Sequence, residues 1–148
     1  MNMNIKDLES FCGTGALWGM DDSAVIAGVV GAAYEVSNVI GAGFLEKVYE
    51  RALARELMLR GLEVRAQASY PVVYKEWPVG DYVADLVVGE RVLVELKCVE
   101  CFSKLHMAQC INYLRASGLP VAVLINFQRP KVGWRRVSCT PGVLACTV

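Results

Sequence analysis

The chain has 148 residues, with 15 basic and 15 acidic side chains that leave a formal net charge of zero. That balance excludes a global field drawing the protein onto nucleic acid or an anionic membrane, so any such binding has to come from a local patch. Hydrophobic residues make up 55% of the sequence, and a chain of this size buries roughly 70% of its unfolded surface, enough for one core without staples.

Residues 1–21 show no helical or strand period and are expected to form a loosely structured lead-in. Acidic residues flank their weak apolar segment and a basic start is missing, so the pattern is not that of a signal peptide and a cytoplasmic location is expected. Residues 22–148 read as a single domain. "DDSAVIAGVVGAAYEVSNVI" predicts a helix with Asp22 or Ser23 as N-cap and an apolar face at Val25, Val29, Ala32, Ala33 and Val36. Its apolar run from Ser23 to Tyr34 falls short of the ~20 residues a bilayer requires, so it is expected to be a core helix and no membrane partner is implied.

After Gly41-Ala42-Gly43, "FLEKVYERALARELMLR" predicts a second helix closed by Gly61. Three extended segments follow, "LEVRAQASYPVVYK", "VGDYVADLVV" and "RVLVELKCV", with turns expected at Trp77-Pro78 and Gly89-Glu90. A helix "SKLHMAQCINYLRAS", capped by Ser103 and ended by Gly118, leads to "PVAVLINF" and a last strand around "GWRRVS". The order ααβββαββ reads as a mixed sheet flanked by helices, an α/β or α+β domain.

Within these strands three charges stand out. Asp85, Glu95 and Lys97 lie in apolar runs, where an unpaired buried charge costs several kcal/mol. Strand alternation puts Glu95 and Lys97 on one face. A three-residue loop Gly89–Arg91 would set Asp85 across from Glu95, whereas a two-residue turn would send the two to opposite faces. Two carboxylates side by side repel, and a divalent cation with oxygen preference relieves them. Lys97, one strand step away, could then orient a water bound to that ion, which makes a site for metal-assisted phosphodiester hydrolysis. The plain alternative is an exposed cross-strand ion pair worth a few tenths of a kcal/mol.

This pattern, "VADLVV" followed by "VELK", resembles the PD-(D/E)XK nuclease superfamily. "GFLEKVYERAL" reads Gly43-x-x-Glu46-x-x-Tyr49 and is similar to the signature of the GxxExxY protein family, with "VVYK", "HMAQCINYL" and "LINF" as further matches in order. The resemblance implies a restriction-endonuclease-like core and Mg²⁺ or Mn²⁺ as cofactor. It also implies nucleic acid, expected to be DNA, as partner. It makes Asp85, Glu95 and the Leu96 carbonyl the metal ligands, Lys97 the catalytic lysine, and Glu46 the helix acid reaching the metal or its water. Gln109 and Tyr113 match the Gln-x-x-x-Tyr motif of RecB-like members, which organises the site and holds the nucleic-acid backbone. Their i, i+4 spacing independently places them on one helical face, with His106 at i−3. Tyr49 reads as core packing. Ser37 stands where these relatives commonly carry His.

Two other readings remain beside a metal-dependent nuclease. One is a non-enzymatic accessory or nucleic-acid-binding module on the same fold. The other is a thiol-metal or redox protein using Cys98, Cys101 and Cys110, although a second close cysteine pair is missing and an iron–sulfur cluster is not expected. Arg129, Lys131, Arg135 and Arg136, near Trp134, form the densest basic cluster, read as a charged edge strand in preference to a stacking platform.

Overall fold

Apolar periodicity dictates the first layer. Helix α1 (Asp22–Ile40) buries Val25, Ile26, Val29, Ala32, Ala33 and Val36 along one stripe. The structure, a computed structural model describing residues 20–139 and the backbone of 146–147, starts this helix one residue earlier than expected. Asp21 is the N-cap, its Oδ1 accepting from the Ala24 N–H at 2.8 Å. The helix is long and apolar enough to cross a membrane by length and composition, but its apolar stripe lies in the protein's own core.

Helix α2 (Glu46–Leu59) begins two residues later than the pattern suggests, because Phe44 and Leu45 belong to the entry loop. Tyr49 secures that loop. Its hydroxyl donates to the Gly41 carbonyl at 2.7 Å and accepts from the Phe44 N–H at 3.3 Å, while its ring stacks on Phe127 at 4.6 Å. Gly43 has φ 101°, a conformation that side chains rarely adopt. The Gly43-x-x-Glu46-x-x-Tyr49 spacing is therefore a loop-and-anchor device that fixes where α2 begins.

The strands are β1 (Val64–Tyr74), β2 (Trp77–Val88), β3 (Val92–Lys97), β4 (Val121–Asn126), β5 (Gly133–Cys139) and the two-residue β6 (Cys146–Thr147), an addition to the expected order. They form one sheet in sequence order, antiparallel except for the parallel β3–β4 pair. Helix α3 (Lys104–Ser117) makes that crossover, capped by Ser103 and ended by Gly118 in the left-handed conformation. The β1–β2 turn falls at Lys75-Glu76, both with positive φ, and not at Trp77-Pro78. Pro78 is tolerated in β2 because this outer half of the strand pairs with β1 alone, leaving its other edge without a ladder to break.

Two apolar clusters sandwich the sheet. One joins α1 and α2 to Val92, Val94 and Leu96, and the other joins α3 to Leu93 and Leu124. Being covered on both faces, β3 and β4 read as nearly unbroken apolar runs. Glu95 interrupts one of them.

Candidate metal centre

The β2–β3 hairpin decides the geometry. Its loop is Gly89–Arg91, and the ladder runs from Val88↔Val92 to Leu86↔Val94. One further step would pair Asp85 with Glu95, but there β2 parts from β3. The Asp85 side chain replaces the missing backbone partner, its Oδ2 accepting from the Leu96 N–H at 2.8 Å. A carboxylate thus stands at the split between two strands, a position reached without an exposed turn.

Glu95 is 3% exposed. Lys97 Nζ reaches its Oε1 at 3.2 Å, and its Oε2 is buried without a hydrogen-bond partner. An orphaned buried oxygen of this kind costs a few kcal/mol unless something positive meets it. Burial pushes the Glu95 pKa up to about 7, the Asp85 charge adds to this, and Lys97 and the Asp85 amide act against it. Burial also raises Asp85, with the Leu96 N–H opposing, Glu50 and then Glu46 adding to the rise, and Lys97 offsetting it.

The structure brings Asp85, Glu95 and Lys97 together. Leu96 is fully buried and contributes its N–H to Asp85. In extended backbone a residue's carbonyl lies on the same strand edge as its N–H, so the Leu96 carbonyl shares the Asp85 side of β3. Glu46 is exposed at the first turn of α2, where the helix dipole favours an acid. Gln109 and Tyr113 turn toward the protein itself. Gln109 Nε2 donates to the Tyr113 hydroxyl at 3.4 Å, which donates to the Val83 carbonyl at 3.0 Å, two residues before Asp85. Tyr113 also packs on Tyr82 with ring centroids 4.8 Å apart. This pair therefore braces β2 where it leaves β3. His106 serves α3: its Nδ1 accepts from the Ser103 N–H at 3.1 Å, closing a capping box.

Three residues absent from the sequence reading contribute. Glu50 is buried on α2, one turn beyond Glu46, a position that the helical period could have flagged. Gln67 on β1 donates to it at 2.9 Å, and nothing in the sequence marks that contact. Asn126 pins the backbone leaving Lys97, its amide donating to the Val99 carbonyl at 2.6 Å and accepting from the Val99 N–H at 3.2 Å. Ser37, where a His was expected by resemblance, is buried and donates to the Pro130 carbonyl at 2.9 Å, a packing role. Trp134 is partly buried against the α1–α2 cluster.

Cys98, Cys101 and Cys110, the candidate thiol-metal set, do not gather into one site. Cys98 packs with the α1–α2 cluster and Cys110 with the α3 cluster, on opposite faces of the sheet. Burial pushes the Cys110 thiol up to about 12. Among the described residues no group of three or more His, Cys, Asp or Glu side chains is gathered to hold a metal. The centre is accordingly a carboxylate pair with one lysine. That donor set fits Mg²⁺ or Mn²⁺, since Mg²⁺ takes one or two carboxylates and keeps several waters, and the orphaned Glu95 Oε2 offers it an unused oxygen.

A family model described as the PD-(D/E)XK nuclease superfamily matches residues 23–137. The chain belongs to that superfamily, and its mixed sheet and flanking helices agree with the α/β fold expected from the sequence. Among solved structures it is similar to an alkaline exonuclease, LHK-Exo, from Laribacter hongkongensis. The two share 12% identity with a TM-score of 0.47, over 82% of this chain and 72% of that one. No curated protein matches the sequence.

Proposed function

We propose that this protein is a divalent-cation-dependent nuclease that hydrolyses phosphodiester bonds in DNA. The observation carrying this reading is the buried, unpartnered Glu95 Oε2 beside Asp85 and Lys97 in a chain of the PD-(D/E)XK superfamily. Within that superfamily the spacing of Gly43, Glu46 and Tyr49 supports a reading of the chain as a GxxExxY protein. Asp85, Glu95 and the Leu96 carbonyl would hold Mg²⁺ or Mn²⁺, which supplies Lewis acidity and an activated water when bound. Asp85 is oriented by the Leu96 N–H, so its second oxygen is left for that task. The Lys97 ammonium, half-buried at the end of β3, holds the attacking water and offsets negative charge developing on the phosphate. Gln109 and Tyr113 keep β2 and Asp85 in place.

The test is cleavage of labelled single-stranded and double-stranded DNA and of RNA by the purified protein, with Mg²⁺ or Mn²⁺ against EDTA. Metal-dependent loss of intact DNA is expected. Binding to nucleic acid without cleavage of any of these under any metal would replace this reading with the accessory-module one, which zero net charge favours.

A further inference from the structure

Gln67 lies inside β1 with φ 53°, a left-handed conformation uncommon for a residue with a side chain. Such backbone is costly and persists only where the surroundings over-determine it. Its place in the ladder is specific. Ala66 pairs with Leu86 and Ala68 with Ala84, so Gln67 stands across from Asp85. The faces of both strands swap at this point: Ala66 and Leu86 pack with the α1–α2 cluster, whereas Ala68 and Ala84 pack with the α3 cluster. Residues two apart in a regular strand would share a face. The distortion is centred on the pair that includes Asp85.

From this position Gln67 Nε2 donates to Glu50 Oε1 at 2.9 Å, and Lys47 Nζ meets Glu50 Oε2 at 2.6 Å. Glu50 is therefore held at both oxygens while being only 4% exposed. Glu46, one turn earlier, faces solvent. Glu50 lies close enough to Asp85 for its charge to add to burial in raising the Asp85 carboxyl pKa, and the buried, unpartnered Glu95 Oε2 on β3 is the separate sign that the Asp85 centre takes a cation.

We propose that Gln67 is a positioning residue of the metal centre, which fixes Glu50 on the Asp85 side so that Glu50, in place of Glu46, is the helix-borne acid facing the ion's water shell. The inference rests on the metal-dependent reading above. Mg²⁺ retains most of its waters when bound by two carboxylates, so an acid one water away contributes to affinity without being a ligand. Lys47 keeps Glu50 from swinging out toward solvent, and Gln67 sets its depth. The strained backbone is the local consequence of aiming a strand side chain at a helix across the Asp85 step.

Calorimetric titration of Mn²⁺ into the full chain tests this, with melting temperatures in EDTA measured alongside. Gln67→Asn and Gln67→Gly both accept positive φ more readily than Gln, and neither side chain reaches Glu50. Both variants relieve the strained backbone but leave the buried Glu50 Oε1 without its partner, so the melting temperatures in EDTA check that they remain folded, while Mn²⁺ binding should weaken about three- to tenfold. Glu50→Gln should weaken binding roughly tenfold and Glu46→Gln less than about twofold. Wild-type affinity in both Gln67 variants, or a larger loss in Glu46→Gln than in Glu50→Gln, overturns the inference. Glu95→Gln separates the two levels. If it abolishes binding while the Gln67 variants bind normally, only this inference fails; if the wild type binds no Mn²⁺, the metal-dependent reading falls and takes this one with it.

Discussion

Lys97→Met is expected to lower metal-dependent cleavage by about 10²–10³-fold while leaving Mn²⁺ affinity at pH 8 unchanged or slightly tighter. The lysine sits 3.2 Å from Glu95 Oε1 with 15% of its side chain exposed, so it is an inner cation at the mouth of the centre. Methionine keeps the length and the apolar stem, and removes only the charge and its donors. Without that ammonium a divalent ion meets less repulsion, which protects binding. The group that holds the water and offsets phosphate charge is nevertheless gone. Parallel measurement of cleavage rate and Mn²⁺ affinity checks the split. Equal losses in both would make Lys97 a structural partner of Glu95.

The second large effect is on cation binding and its pH dependence. Glu95 titrates near 7 in the folded protein against an ordinary 4.5. Between those values the folded state holds a proton that the unfolded state has lost. The stability associated with Glu95 is thus fully present below about pH 4.5 and is lost as pH rises through about 7, by up to roughly 3 kcal/mol. Thermal melts of metal-free protein should show this fall, and Glu95→Gln should flatten it. A metal binding the carboxylate must displace the same proton. Its apparent Kd should weaken by about tenfold for each pH unit below 7 and level off above it. In Glu95→Gln, Mn²⁺ binding should drop by about a hundredfold or more and lose that slope. An unaltered Mn²⁺ titration in this variant would place the ion elsewhere.

Elements with local signatures were legible in the sequence. The stripe Val25, Val29, Ala32, Ala33 and Val36 identifies α1 and its buried face, and Ser103 with Gly118 brackets α3. Asp85, Glu95 and Lys97 stand out because charge inside an apolar strand requires a reason. Alternation alone could not say how Asp85 meets β3. The answer depends on the strands parting after Leu86↔Val94, a tertiary event in which a side chain takes over a backbone hydrogen bond.

Gln67 was invisible for a related reason. Positive φ is signalled by Gly or Asn in a turn, and here it occurs at a glutamine in mid-strand. The Lys75-Glu76 turn hides in the same way, since neither residue is a usual turn former, whereas Trp77-Pro78 looked like one. Gln109 and Tyr113 illustrate a different limit. Their i, i+4 spacing places them on one helical face correctly, but spacing does not say what that face meets, and it meets β2 through the Val83 carbonyl.

On the proposed reading the Asp85 and Glu95 carboxylates form a divalent-cation site. Anomalous diffraction from crystals grown with Mn²⁺ at pH 8 tests it most directly. A manganese peak is expected between the two carboxylates, in contact with the Glu95 Oε2 that is buried without a hydrogen-bond partner. Diffraction at saturating Mn²⁺ with no peak there, and Glu95 Oε2 still buried against protein alone, would contradict it.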